Sequence, residues 1–383
     1  MEKEKLKLKV VHIITKLELG GAQLNTLYTY ENLDESQFET YLVSGPGGIL
    51  TGKVSKKDRF IIAPHLVRAI SPFKDLKTLF FLYRFLKKVR PHIVHTHSSK
   101  AGILGRIAAA VARVPVIIHS VHGFSFSPFQ SFLKRTFYTT AEKIIAHKTT
   151  HFIFVANDDI ITAQQQKLVH NNYSLIRSGF PLKKFQSRVK GTSELREGFN
   201  LMEDDFVCGI IAPFKAQKGL FHLIDIAVEV LAVSNKNIFF IILGDGDLRP
   251  AIESKLKEKG IFDRFRLPGF VFDIDVVMDV FDIGVSTALW EGLPQSLVQF
   301  RLKKLAVVAS NIPGNREVIV HEKNGYLVDV SDRRLFARRI LELVNDEETR
   351  QRLANNADDF SEWDADVMVR RQGELYRSLV QNK

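Results

Sequence analysis

The chain has 383 residues, 45% hydrophobic and 25% charged, enough for two ordinary cores and against global disorder; its one cysteine, Cys208, rules out an intrachain disulfide and fits a reducing compartment. The net charge of +11 is unevenly shared: residues 1–200 carry 30 Lys and Arg against 14 Asp and Glu, a balance of +16, and residues 201–383 carry 24 against 29, a balance of −5. That asymmetry suggests an anionic partner for the first half, nucleic acid or an anionic membrane surface, beside the plain alternative of a solvated basic face.

The opening MEKEKLKLKVVHIIT is basic, but its apolar run is only VVHII, so it reads as a first strand and not as a signal peptide. No apolar run approaches the ~20 residues of a membrane helix. KLELGGAQLNTLY follows, and Gly20 and Gly21 open a helix where backbone amides could approach a phosphate; a tight strand-to-helix turn explains them equally well. ETYLVS and RFIIAP read as the next strands. DLKTLFFLYRFLKKV then places Leu76, Leu79, Phe80, Tyr83, Leu86 and Val89 at the spacing of one buried helix face, ended by Pro91. HIVHTHSSKAGILGR sets His97, Ser98, Ser99 and Lys100 at a strand's carboxyl end, donors suited to a polar ligand, with His95 assigned to the opposite, core face. VIIHSVHGF does the same for His122, and HFIFVA and YSLIRS close the alternation.

Residues 181–203 are polar and read as a linker. The strand and helix alternation restarts with FVCGIIA, IFFIILG, DIGVST, AVVAS and GYLVD. The expected fold is therefore α/β, with two tandem Rossmann-like doubly wound domains facing across a cleft: residues 1–180 and 204–362. In IIAPFKAQKGL, Lys215 and Lys218 lie three apart where a strand gives way to a helix and could clamp a diphosphate, or simply be solvated. In STALWEGLPQSLVQF, Glu291 stands before the amides of Gly292 and Leu293, with Pro294 at the first helical position; a carboxylate accepts two hydroxyls at once and a helix N-terminus favours an anion. The D-x-D pairs Asp245/Asp247 and Asp273/Asp275 read as ordinary loop and helix-start carboxylates, and no Cys/His cluster has zinc spacing, so no metal is expected.

Taken in order, LGGAQ, HIVHTHSSKAGILGR, HSVHGF, FKAQKG, LGDGDLR, WEGLP, PGNREVI, NGYLVD and the terminal FSEWDADVMVRRQGELY resemble, nearly end to end, the retaining nucleotide-sugar glycosyltransferases of family 4, whose fold is called GT-B. The resemblance implies that the second domain binds a nucleotide diphosphate sugar and the first an acceptor, and that a terminal helix, 363–383, returns toward the first domain. It implies that Gly21 approaches the diphosphate, that His122 meets a hydroxyl of the sugar, that Lys215 and Lys218 hold the phosphates, and that Glu291, Gly292 and Leu293 hold sugar and diphosphate. No metal or cofactor is implied, and the acceptor is a glycan or a lipid-linked glycan of cell-surface polysaccharide or lipopolysaccharide synthesis. That places the protein in the cytoplasm or peripherally on the inner membrane face, with Phe124, Phe126, Phe129 and Phe132 as candidate wedges and nucleic acid excluded as a partner.

Three positions depart from the family pattern. Pro213 stands where an arginine is common, Gln299 where a second glutamate holds the ribose hydroxyls, and Lys304 where a glycine ends the helix. Two readings follow: a working transferase with loosened donor binding, or a silenced relative that binds sugar nucleotide or glycan without turnover.

Overall fold

The computed structural model describes residues 7–123, 132–186 and 192–383. Two compact units emerge, the first built from Met1–Phe180 with Ser361–Lys383 and the second from Pro181–Phe360. Both are doubly wound parallel sheets. The first holds β1 (Leu8–Ile14), β2 (Phe38–Ser44), β3 (Phe60–Ile62), β4 (Ile93–His97), β5 (Val116–Val121), β6 (His151–Phe154) and β7 (Tyr173–Leu175) in the order β3-β2-β1-β4-β5-β6-β7. The second holds β8 (Phe206–Ile211), β9 (Ile238–Leu243), β10 (Phe265–Gly269), β11 (Ile283–Ser286), β12 (Ala306–Ser310) and β13 (Tyr326–Val328) in the order β10-β9-β8-β11-β12-β13.

Strands covered on both faces read as unbroken apolar runs. IFFIIL in β9 is the clearest case, with all six residues buried. Cys208 lies in the same core, where burial pushes its thiol well above the ordinary range and leaves it unreactive. β10 escaped the sequence reading because FRLPG carries a proline; it is an edge strand, where proline is tolerated. In both sheets strand order reverses beside the first strand, between β1 and β4 and between β8 and β11. The carboxyl ends at such a reversal are where open α/β sheets hold ligands.

Helix α1 (Gly21–Asn32) follows β1, α2 (Pro72–Val89) precedes β4, and α3 (Ser99–Val111) follows it. The buried face of α2 differs from the expected one. Thr78, Leu82 and Leu86 are buried, with Leu79, Phe85 and Val89 packed beside them, whereas Leu76 and Phe80 are exposed. The helix is apolar around more than half its circumference, so the spacing fits two faces, and packing against α3 selects one. Arg90 ends α2 in the left-handed region, just before Pro91.

Residues 181–203 are not bare linker: they contain the short helices Leu182–Gln186 and Ser193–Gly198 and belong to the second unit. The closing helix, Ala365–Gln381, starts on an Asp364 cap and packs Met368, Val369 and Tyr376 against Val10, Ile93 and Ile118 of the first unit. Phe124, Phe126 and Phe129 lie outside the described residues, as does the side chain of Phe132. Among the described residues, no helix is long and apolar enough to cross a membrane.

Candidate active site

In the second unit, β8 and β11 end side by side and their loops interlock. After β8 the chain passes Pro213 and Lys215 into a tight turn, Ala216–Lys218, before the helix Leu220–Val233. Gly219 joins the two at φ +60°, and a Cβ there would stand 2.1 Å from the carbonyl oxygen of Thr287; conformation and space both require glycine. The Thr287 hydroxyl donates to the Lys218 carbonyl at 3.1 Å, and the Leu289 amide donates to the Gln217 carbonyl at 2.8 Å. The Gln217 side-chain amide in turn donates to Trp290 O at 2.9 Å and to Glu291 Oε2 at 3.3 Å. These bonds bring the Lys218 ammonium onto the Glu291 carboxylate, with side chains only 17% and 10% exposed. Behind Glu291, a Cβ on Gly314 would lie 2.6 Å from the carbonyls of both Glu291 and Gly292, so the PGN turn allows the loop to settle there.

The expected helix start shifts by one residue. Pro294 is the N-cap of the helix Gln295–Leu302, its carbonyl accepting from the Leu297 amide at 3.1 Å, and Gly292 and Leu293 lie in the loop ahead of the first turn. Gln299 is buried on the second turn. Lys304 occupies the left-handed position at φ +53°, the conformation a glycine would relieve. The neighbouring charges are structural. Arg301 donates to the carbonyls of Leu305, Leu353, Ala354 and Asn356 and meets Asp358 at 2.7 Å; Lys303 meets Asp279 at 2.7 Å with both side chains buried. Three of the four D-x-D carboxylates also have cations: Asp245 meets Arg249 at 3.1 Å, and Asp273 and Asp275 share Lys184 at 3.3 and 2.9 Å.

In the first unit, Gly20 caps α1 in extended backbone, a conformation open to any residue. The donors after β4 have internal partners. Ser98 Oγ lies 2.7 Å from Thr15 Oγ1, and Lys100 meets Asp75 at 2.6 Å, while Ser99 begins α3. His97 is buried, its Nε2 3.2 Å from His12 Nδ1. His95 does not face away from it. Residues two apart in a strand share a face, and the two rings are centred 4.1 Å apart. His95 is held by the Tyr376 hydroxyl at 2.6 Å and Ser120 Oγ at 2.8 Å. Register supplies the rest, since His12 of β1 lies directly across from His95 of β4.

The result is a histidine cluster that spacing alone did not show. Nitrogens of His12, His95 and His97 all lie within 4.8 Å, close enough to share a metal ion, although both nitrogens of His95 already have partners. His122 follows β5 with its ring 5.8 Å from that of His97. Among the described residues both its ring nitrogens are buried without a partner, which is uncommon for polar atoms. Burial pushes its pKa down to about 4, so at neutral pH it is an uncharged imidazole able to donate from one nitrogen and accept at the other.

Residues 19–182 match the family model described as Glycosyltransferase Family 4, and residues 192–360 that described as Glycosyl transferases group 1. The chain is 31% identical over 345 residues to UDP-Gal:alpha-D-GlcNAc-diphosphoundecaprenol alpha-1,3-galactosyltransferase of Escherichia coli, covering 89% of each. It is 26% identical to N,N'-diacetylbacillosaminyl-diphospho-undecaprenol alpha-1,3-N-acetylgalactosaminyltransferase of Campylobacter jejuni, covering 82% of this chain and 84% of that one. Among solved structures, Anabaena HepE in complex with UDP and glucose superposes with a TM-score of 0.83 at 18% identity, covering 97% of this chain and all of that one.

Proposed function

The chain belongs to the family 4 glycosyltransferases, and on that premise we propose that it moves a sugar, with retention of configuration, from a uridine diphosphate sugar to a lipid-linked glycan acceptor in surface polysaccharide or lipopolysaccharide synthesis. The observation that carries this reading is the Lys218–Glu291 pair, locked by Gln217 at the carboxyl ends of β8 and β11. The two relatives named above transfer a sugar to a diphosphoundecaprenol-linked sugar, and the first uses UDP-Gal.

In the proposed reaction, the bond from the sugar's anomeric carbon to the diphosphate oxygen breaks. The acceptor hydroxyl bonds to that carbon from the same face and passes its proton to the departing phosphate oxygen. Lys218 and Lys215 meet the growing negative charge, aided by the amides ahead of Gln295, while Glu291 accepts from sugar hydroxyls. With the donor absent, Lys218 and Glu291 neutralise one another, so the pair must part as phosphate takes the ammonium and hydroxyls take the carboxylate. The roles of Gly20, Gly21, Gly292, Leu293 and Pro294 are backbone ones, giving a phosphate close approach to amides. In the first unit, His122 offers two buried nitrogens, unsatisfied among the described residues, that a hydroxyl-rich ligand would pair. No metal or cofactor is assigned to the reaction, and the reading puts the protein in the cytoplasm, peripherally on the inner face of the membrane.

A thermal-shift screen against UDP-, GDP-, ADP- and CDP-sugars tests the reading. A UDP-sugar is expected to raise Tm most, with the shift growing as its concentration passes Kd. No shift with any of the four, together with no donor hydrolysis, would favour the silenced relative. Gln299→Glu is expected to tighten donor binding about tenfold, because a charged acceptor gains roughly 1–1.5 kcal/mol over a neutral one for a ribose hydroxyl. Equal or weaker binding in a calorimetric titration removes the ribose role from this position.

A further inference from the structure

We propose that the outer face of α2 is the surface by which this protein docks on an anionic lipid bilayer. The inference rests on the lipid-linked acceptor reading for its biological sense but on separate observations for its location. Four large apolar side chains stand in solvent on or just before this helix: Ile70 at 60%, Phe73 at 83%, Leu76 at 68% and Phe80 at 60% exposure. Phe73, Leu76 and Phe80 follow the spacing of one face. The opposite face is already used, Thr78, Leu82 and Leu86 being buried against the first unit.

The charges on the helix choose the occupant. Along the exposed side the apolar stripe runs into Arg84, whose guanidinium lies 5.6 Å from the Phe80 ring centre, and then into Lys87 and Lys88. Lys74 and Lys77 flank it. The one acid of the helix, Asp75, is neutralised by Lys100 at 2.6 Å. An exposed apolar ridge set among cations that have no acidic partner among the described residues matches helices that lie in the plane of a bilayer, with aromatic and leucine side chains among the acyl chains and lysines at the headgroups. A second copy of the same face would bring two cationic rims together, which disfavours a symmetric dimer built on this stripe.

The experiment is co-sedimentation of the full chain with vesicles of phosphatidylglycerol and phosphatidylethanolamine, and with phosphatidylcholine vesicles as the neutral control, at low and high salt. The wild type is expected to partition onto the anionic vesicles at low salt and to be released by salt. A Phe73→Ser, Leu76→Ser, Phe80→Ser variant should lose at least about tenfold in partitioning. A Lys74→Gln, Lys77→Gln, Arg84→Gln variant should lose its preference for anionic over neutral vesicles. Because these side chains face solvent, both variants should keep the wild-type Tm and turn over a detergent-dispersed acceptor normally. Undiminished vesicle binding by the serine variant overturns the proposal, as does a wild type that ignores vesicles but forms a dimer the serine variant abolishes. Vesicle binding without turnover of any acceptor would instead count against the transferase reading and leave the docking surface standing.

Discussion

Lys218→Ala is expected to lower turnover by roughly 10²–10³-fold, the loss typical of removing one donor aimed at developing charge in a transition state. The ammonium is the group here that both touches Glu291 and sits at the strand end where the leaving diphosphate is proposed to lie. Its loss acts twice: the phosphate loses a counter-charge, and Glu291 is left with the weaker Gln217 contact at 3.3 Å. A neutral Glu291→Gln change should cost less on its own. The double variant should cost less than the two single losses multiplied, because the side chains act as one unit. Single-turnover measurement with saturating donor separates this from weaker binding. If Lys218→Ala raises KM and leaves kcat intact, the lysine binds donor without stabilising the transition state.

The first unit is expected to lose stability steeply in mild acid. Burial lowers the pKa of His12 to about 3 and that of His122 to about 4, and it holds His95 and His97 well below the ordinary range. These are depressed values, so the unfolded chain takes up protons first as pH falls. The stability of the neutral imidazoles is complete above about pH 6.5 and drains away toward the folded values. At pH 5, each of His12 and His122 forfeits about 2 kcal/mol. Together that is about 4 kcal/mol, a large share of the 5–15 kcal/mol that holds a typical domain, before His95 and His97 are added. Urea unfolding followed from pH 7.5 to 5 should show the midpoint falling, and a His12→Asn variant should show a shallower slope. A midpoint unchanged across that range would mean that the cluster takes up protons without unfolding.

Most of the sheet was legible in the sequence, since doubly covered strands such as VVHII and IFFIIL have no other soluble use. The errors share a cause: sequence reports periodicity, while the partner decides which period matters. α2 offers two apolar faces, and only packing against α3 tells them apart. The histidines of β4 were misplaced because a spacing of two was read as opposite faces. The candidate site was legible as WEGLP and FKAQKG, but not the junction between them. Gln217 and Trp290 meet across 73 residues through bonds to a backbone carbonyl, which no residue pattern encodes. Arg301 and Lys303, which the sequence did not single out, hold carbonyls and a buried carboxylate inside the second unit.

The first unit is interrupted: the chain leaves it at Phe180 and re-enters at Ser361. His95 finds its Tyr376 partner 281 residues later. On a ribosome adding about 5–20 residues per second, that partner arrives roughly 15–60 s after the histidine. Through that interval the patch formed by Val10, Ile93 and Ile118 has no helix to cover it, although the whole second unit can already have emerged and folded. The second unit can therefore mature before the first is finished, and the helix Ala365–Gln381, made after it, completes the fold that began with β1.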